Sequence, residues 1–221
     1  MTIHVNGIDL YYKKAGQGPP LLLLHGNGES HAIFRKAMKR LAERFTVYAI
    51  DSRGHGRSSK VKELHYADMA EDMAQFIAAL GLEAPMLYGF SDGGIIGLLL
   101  AGEHPGLLSK LAISGANLNP AALKKFFLRF IWLMRKLTRG DKWRMMLEEP
   151  NITPEQLGRI DMPTLVLAGE KDIISEAHTR IIAGAIPGAR VRILPGENHG
   201  SYVDDNAKLC DVIGPFFEEN S

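Results

Sequence analysis

Residues 84–105 read APMLYGFSDGGIIGLLLAGEHP. A short apolar run with the length of a strand, APMLYGF, passes at once into an apolar stretch with the length of a helix, and Ser91, Asp92, Gly93 and Gly94 occupy the corner between them. The same alternation repeats in both directions. Toward the N-terminus, PLLLLHG (20–26) is a continuous apolar run, as expected of a strand covered on both faces. SHAIFRKAMKRLAERF (30–45) has helical periodicity, FTVYAID (45–51) reads as a further buried strand, and YADMAEDMAQFIAALGL (66–82) as a helix. Toward the C-terminus come a strand over KLAISGA (110–116), PTLVLAGE (163–170), a helix near 175–186, VRILPG (191–196) and a last helix near 204–217. Strands alternating with helices make βαβ units, hence a mostly parallel sheet with helices on both faces. The opening TIHVNGIDLYYKK is two alternating segments joined by Asn6-Gly7, a hairpin signal that adds an antiparallel edge.

Between Ala116 and Ile160 the alternation stops and no strand is readable. The expectation is one domain, 1–221, carrying a helical lid insertion at about 116–160. Within it Leu123, Phe126, Phe127, Phe130, Ile131, Met134 and Leu137 are spaced as one helical face. Composition narrows the class further. A chain of 221 residues, 46% hydrophobic, buries one substantial core, and its formal net charge of +1 offers no global field for nucleic acid or an anionic membrane. The N-terminus lacks the pattern of a signal peptide, the apolar runs are far shorter than the ~20 residues of a membrane span, and the one cysteine, Cys210, suits a buried structural thiol in a reducing compartment. A cytoplasmic protein without stable membrane insertion is expected; the oligomeric state is left open.

Gly89-Phe90-Ser91-Asp92-Gly93 fits the G-x-S-x-G corner in which a strained serine sits between strand and helix, and glycines two residues either side remove collisions that side chains would make. A serine hydroxyl needs a base to act as a nucleophile at neutral pH. Of eight histidines, His199 follows the last predicted strand, on the carboxyl edge where open α/β sheets build their sites. His25 and His55 read as loop residues, and the others fall on the hairpin or on helices. An acid must orient the base. Asp172 follows the preceding strand on the same edge, with Glu170 as its nearest competitor and Glu197 too close in sequence to His199 to reach behind it. Two donors for a developing oxyanion are read as the backbone N–H groups of Asp92 and of Asn27, in the glycine-flanked loop HGNGES.

The motifs LLLLHGNG, DSRGHGRS, YGFSDGGIIG, LAGEKDII and ENHGSY occur in the order of the α/β-hydrolase superfamily, and the chain resembles that family along its whole length outside the insertion. FSDGG and the following ISGANLNP are most similar to the biphenyl-hydrolase-like serine esterases. The resemblance implies a cofactor-free, metal-free site with Ser91, Asp172 and His199 as a triad, acting on a small-molecule ester. Ser91 stands where dehalogenase and epoxide-hydrolase relatives carry aspartate. A lactone, a thioester or a C–C bond fits the same scaffold, as does a ligand-binding protein without catalysis.

Two features remain. From Lys124 to Arg144 eight basic residues face a single acid, Asp141. The reading adopted is that the aromatic face, with Phe126, Phe127 and Phe130, roofs the pocket while the basic face is solvated; contact of such a helix with a membrane surface or with anionic substrates is the alternative. Because the insertion is short, the acyl pocket is expected to be shallow or open. Asp92 puts a carboxylate beside the nucleophile, either as a buried residue at the helix start or as the partner of a substrate ammonium.

Overall fold

The computed structural model describes residues 1–219. In chain order its elements are β1 (Thr2–Val5), β2 (Ile8–Ala15), β3 (Pro20–Leu24), α1 (Arg35–Leu41), β4 (Thr46–Ile50), α2 (Tyr66–Ala79), β5 (Met86–Phe90), α3 (Asp92–Glu103), β6 (Lys110–Ser114), α4 (Lys125–Thr138), α5 (Asp141–Glu148), α6 (Pro154–Leu157), β7 (Thr164–Lys171), α7 (Glu176–Ala185), β8 (Arg190–Asn198) and α8 (Lys208–Glu218). The strands form one eight-stranded sheet in the order β1-β2-β4-β3-β5-β6-β7-β8. β1 and β2 are antiparallel, as is the β2–β4 pair, and the pairs from β4 through β8 are parallel. This is the architecture that the alternating pattern and the resemblance imply.

Side-chain alternation explains why the central strands are apolar throughout. Leu22 and Leu24 of β3 enter the core under α2 and α3, while Leu21 and Leu23 enter the core under α1 and α8. The same division places Leu111 and Ile113 of β6 in the first core and Ala112 in the second. Cys210 is buried there, its Sγ–H donating to Ala37 O at 3.3 Å. Among the described residues no helix is long and apolar enough to cross a membrane.

Adjacent strands of this sheet stop level with one another. β5, β6, β7 and β8 end one residue before Ser91, Gly115, Asp172 and His199. A register irregularity between Gly169 and Lys171 turns the ends of β7 and β8, and Gly169 permits it: a Cβ there would meet Glu197 O at 2.5 Å and Asn198 O at 2.6 Å.

The insertion folds as α4 and α5 packed on a small core of its own. Leu123, Ile131 and Ile174 form it, with Phe127, Leu128, Trp143 and Met146 against them. It is fastened to the end of β7 by the Lys124 N–H donating to Ile173 O at 3.0 Å. Arg144 fastens its other side, donating to Leu64 O at 2.8 Å and to Asp141 Oδ1 at 2.7 Å.

Candidate active site

Ser91 sits at φ 52°, ψ −114° between β5 and α3, a strained backbone for a residue with a side chain. Its neighbours must be glycine on steric grounds. A Cβ at Gly89 would lie 2.1 Å from Gly93 O, and one at Gly93 would lie 2.2 Å from Leu24 O. The corner is held by the Ser91 N–H donating to Ser114 O at 2.8 Å.

His199 joins the two other residues of the expected triad. Its Nδ1 lies 2.7 Å from Asp172 Oδ1 and its Nε2 lies 3.1 Å from Ser91 Oγ. An ionised carboxylate can only accept, so Nδ1 carries the proton and Nε2 is left to accept from the serine hydroxyl. Burial alone would raise the Asp172 carboxyl, but the His199 ring and the N–H groups of Ile174 and Gly169 outweigh it and hold Asp172 below the ordinary range. The ring is also located by packing. Phe90 lies 5.0 Å away centroid to centroid, and Gly115, at φ +62°, leaves room that a Cβ would occupy at 2.6 Å from His199 Cε1. The competitors are engaged elsewhere: Glu170 accepts from the Gly196 N–H at 2.7 Å, and Glu197 accepts from Lys208 Nζ at 2.9 Å.

The backbone N–H groups of Asn27 and Asp92 donate to no acceptor among the described residues. Both residues line the cavity that contains Ser91, and the Gly26 backbone beside Asn27 is so near that a Cβ would meet Ser91 Cβ at 3.1 Å. Glu29, not singled out from the sequence, accepts from the Gly26 N–H at 2.8 Å and fixes this loop; its burial raises its own pKa.

The cavity measures about 490 Å³, within the range of small-molecule sites. Phe127 and Phe130 of α4 line it, stacked 6.0 Å apart, as do Trp143 and Met146 of α5 and Ile173 and Ile174 beyond β7. Phe126 is a correction to the expectation: it lies outside the cavity and is 64% exposed. The seven apolar positions of the expected face do not share one surrounding: Leu123, Phe127 and Ile131 belong to the small lid core, whereas Phe126, Phe130 and Leu137 are exposed.

The ionisable lining, apart from His199, is entirely acidic: Glu29, Asp92, Glu149 and Asp204, with no Lys or Arg among the described residues. Asp92 is the most buried of these, and its Oδ2 has no hydrogen-bond partner. Burial pushes its pKa up to about 7, and its polar neighbours Tyr66 and Asn27 offset this only in part.

His25 and His55 have the structural places read for them. The His25 Nδ1–H donates to Gly26 O at 2.7 Å and its Nε2 accepts from the Ser52 N–H at 3.0 Å; burial lowers its pKa to about 4. In the DSRGHGRS loop the buried Asp51 accepts from the N–H groups of His31 and Arg57, and Arg53 pairs with Asp72 of α2. Among the described residues no cluster of three or more His, Cys, Asp or Glu side chains could hold a metal ion.

Residues 19–142 match the family model described as the alpha/beta hydrolase fold. The human protein named Serine hydrolase BPHL is 28% identical over 246 residues, covering 95% of this chain and 84% of that protein. Among solved structures, the esterase EaEST from Exiguobacterium antarcticum has a TM-score of 0.85 at 22% identity, covering 97% of each chain. The enol-lactonase from Burkholderia xenovorans LB400 has a TM-score of 0.83 at 20% identity, covering 99% of this chain and 100% of that one. The family model covers more than half of the chain and the shared fold agrees with the strand order, and on that ground the chain belongs to the α/β-hydrolase family.

Proposed function

We propose that this chain is a serine hydrolase that cleaves small esters through an acyl-enzyme. The observation that carries the reading is the unbroken chain of contacts from Asp172 through His199 to Ser91 at the foot of a cavity of about 490 Å³. Ser91 Oγ attacks the carbonyl carbon while His199 Nε2 takes the hydroxyl proton, and the imidazolium so formed is stabilised by Asp172. The Asn27 and Asp92 amides, free and adjacent, receive the oxyanion. His199 then protonates the leaving alkoxide, and water activated by the same nitrogen releases the acyl group. No cofactor or metal enters the scheme.

A second layer concerns charge. Glu29, Asp92, Glu149 and Asp204 line the cavity with no Lys or Arg among its described lining residues; Glu149 is paired from outside the lining by His65 at 2.6 Å and Arg144 at 3.9 Å, and the balance favours a substrate with a cationic group over an anionic one. Asp92, next to the nucleophile in the chain and with Oδ2 free of any hydrogen-bond partner, is the partner proposed for an ammonium such as that of an α-amino ester. Lactone, thioester and C–C hydrolysis on the same triad are the alternatives within the class, and ligand binding without catalysis is the alternative outside it.

A fluorophosphonate probe tests the class directly. One equivalent of adduct on Ser91, absent in Ser91→Ala, together with a fall in kcat of about 10⁴- to 10⁶-fold, is expected. No adduct on the folded protein, and no turnover across a panel of esters, lactones and thioesters, favours the binding protein.

A further inference from the structure

The outer side of α4 is left without a partner, and it is ordered in stripes. At about 100° per residue, Phe127, Leu128 and Ile131 face inward onto the lid core. Phe126, Phe130, Leu133 and Leu137 recur at i, i+4, i+7 and i+11 as a ridge beside them, and they are 47–70% exposed. Lys125, Arg129, Trp132 and Lys136 repeat the same spacing one position earlier, as a cationic row along the ridge, with Lys136 Nζ 3.8 Å from the Trp132 ring centre. Among the described residues Lys124, Lys125, Arg129, Lys136 and Arg139 make no ion pair. Beside the row opens a depression of about 460 Å³ lined by Trp132, Arg135, Lys136, Arg139, Leu147 and Glu148.

We infer that this face of the lid docks reversibly on an anionic lipid surface, with the ridge entering the acyl-chain boundary and the basic row meeting the headgroups. Charge complementarity selects this occupant. Eight basic residues against one acid between Lys124 and Arg144 leave the rest of the chain net acidic. An isologous dimer through α4 would set that cationic patch against its own copy, which repulsion opposes. Shape agrees, because a convex ridge of four large apolar side chains enters a deformable bilayer surface without the walled groove that a partner helix would need. Phe130 belongs both to the ridge and to the cavity wall, so docking brings the cavity mouth to the surface. The acidic cavity lies behind the basic face, and the arrangement favours neutral or cationic amphiphiles, which gather at anionic membranes, over anionic lipids themselves.

The docking stands apart from the hydrolase reading and is tested on Ser91→Ala protein. Both tryptophans of the chain, Trp132 and Trp143, lie in the lid, so intrinsic fluorescence reports it. Large unilamellar vesicles of phosphatidylglycerol are expected to sediment the protein at least 10-fold better than phosphatidylcholine vesicles, with a blue shift of tryptophan emission, quenching by brominated acyl chains, and weakening as salt rises. The exposed pair Leu133→Ser/Leu137→Ser and the pair Arg129→Glu/Lys136→Glu are each expected to lower that binding at least 10-fold. In the Ser91 background neither should change turnover of a water-soluble acetate ester. Equal affinity for the two lipids, absence of binding at 0.1 M salt, or binding that survives both pairs of substitutions overturns the inference. So does a dimer in solution that Leu133→Ser/Leu137→Ser converts to monomer, which would assign the ridge to a second copy of the chain.

Discussion

Two single residues test the site most sharply. Gly115 does no chemistry, but its missing side chain makes room for the His199 ring, and a Cβ would stand 2.6 Å from Cε1. Gly115→Ala is expected to lower kcat by about 10²-fold through a misplaced base, with only a small change in melting temperature; an unchanged kcat would show that the ring has another stable position. Asp92 is set against the stability of the fold. Its carboxyl is raised from 3.8 to about 7, so the folded state holds a proton that the unfolded chain releases. The stabilising effect of that proton is complete below pH 3.8 and is lost as pH rises to about 7. Asp92→Asn should therefore be more stable than the parent above pH 7, by up to about 4 kcal/mol, and the advantage should vanish near pH 4; urea titrations at the two pH values check this. The same substitution should cost activity on α-amino esters and spare matched uncharged esters, and equal losses on both would remove the ammonium from the account.

At the scale of elements the lid decides which acyl groups fit. Phe127→Ala opens the cavity where Phe127 and Phe130 stack, and KM is expected to rise about 5- to 20-fold for a hexanoate ester while staying unchanged for an acetate; a uniform change across chain lengths would place the acyl group elsewhere. The lid is also where the sequence was least legible. Periodicity says which positions share a face but not which face turns inward; that choice is made by Leu123, Ile131 and Ile174, whose contacts are tertiary. For this reason periodicity does not separate Phe126, outside the cavity, from Phe127 and Phe130, and it carries no signal for Trp143 and Met146 of α5. Ser91, Asp172 and His199 were legible because each follows an apolar run that stops abruptly, and strand ends can be read. Gly115 follows such a run too, but a glycine in a sequence marks a turn and does not say what occupies the vacated space.

For the molecule as a whole, the expectation of one domain becomes a proposal with a built-in measurement. Far-UV circular dichroism follows the helices and sheet, whereas tryptophan fluorescence follows only the lid, where Trp132 and Trp143 sit. If the chain melts as one cooperative unit, the two thermal transitions coincide; a fluorescence transition at lower temperature would make the lid a separate unit.

The order of the strand ends also bears on how the protein is made. Ser91 and His199 stand 108 residues apart in sequence and 3.1 Å apart in space. On the proposed mechanism a growing chain carries its serine long before it carries the base that awakens it. Translation thus postpones reactivity until His199 has been made: a nascent or prematurely terminated polypeptide ending before that residue presents an ordinary alcohol, and acyl transfer waits for the segment that follows β8.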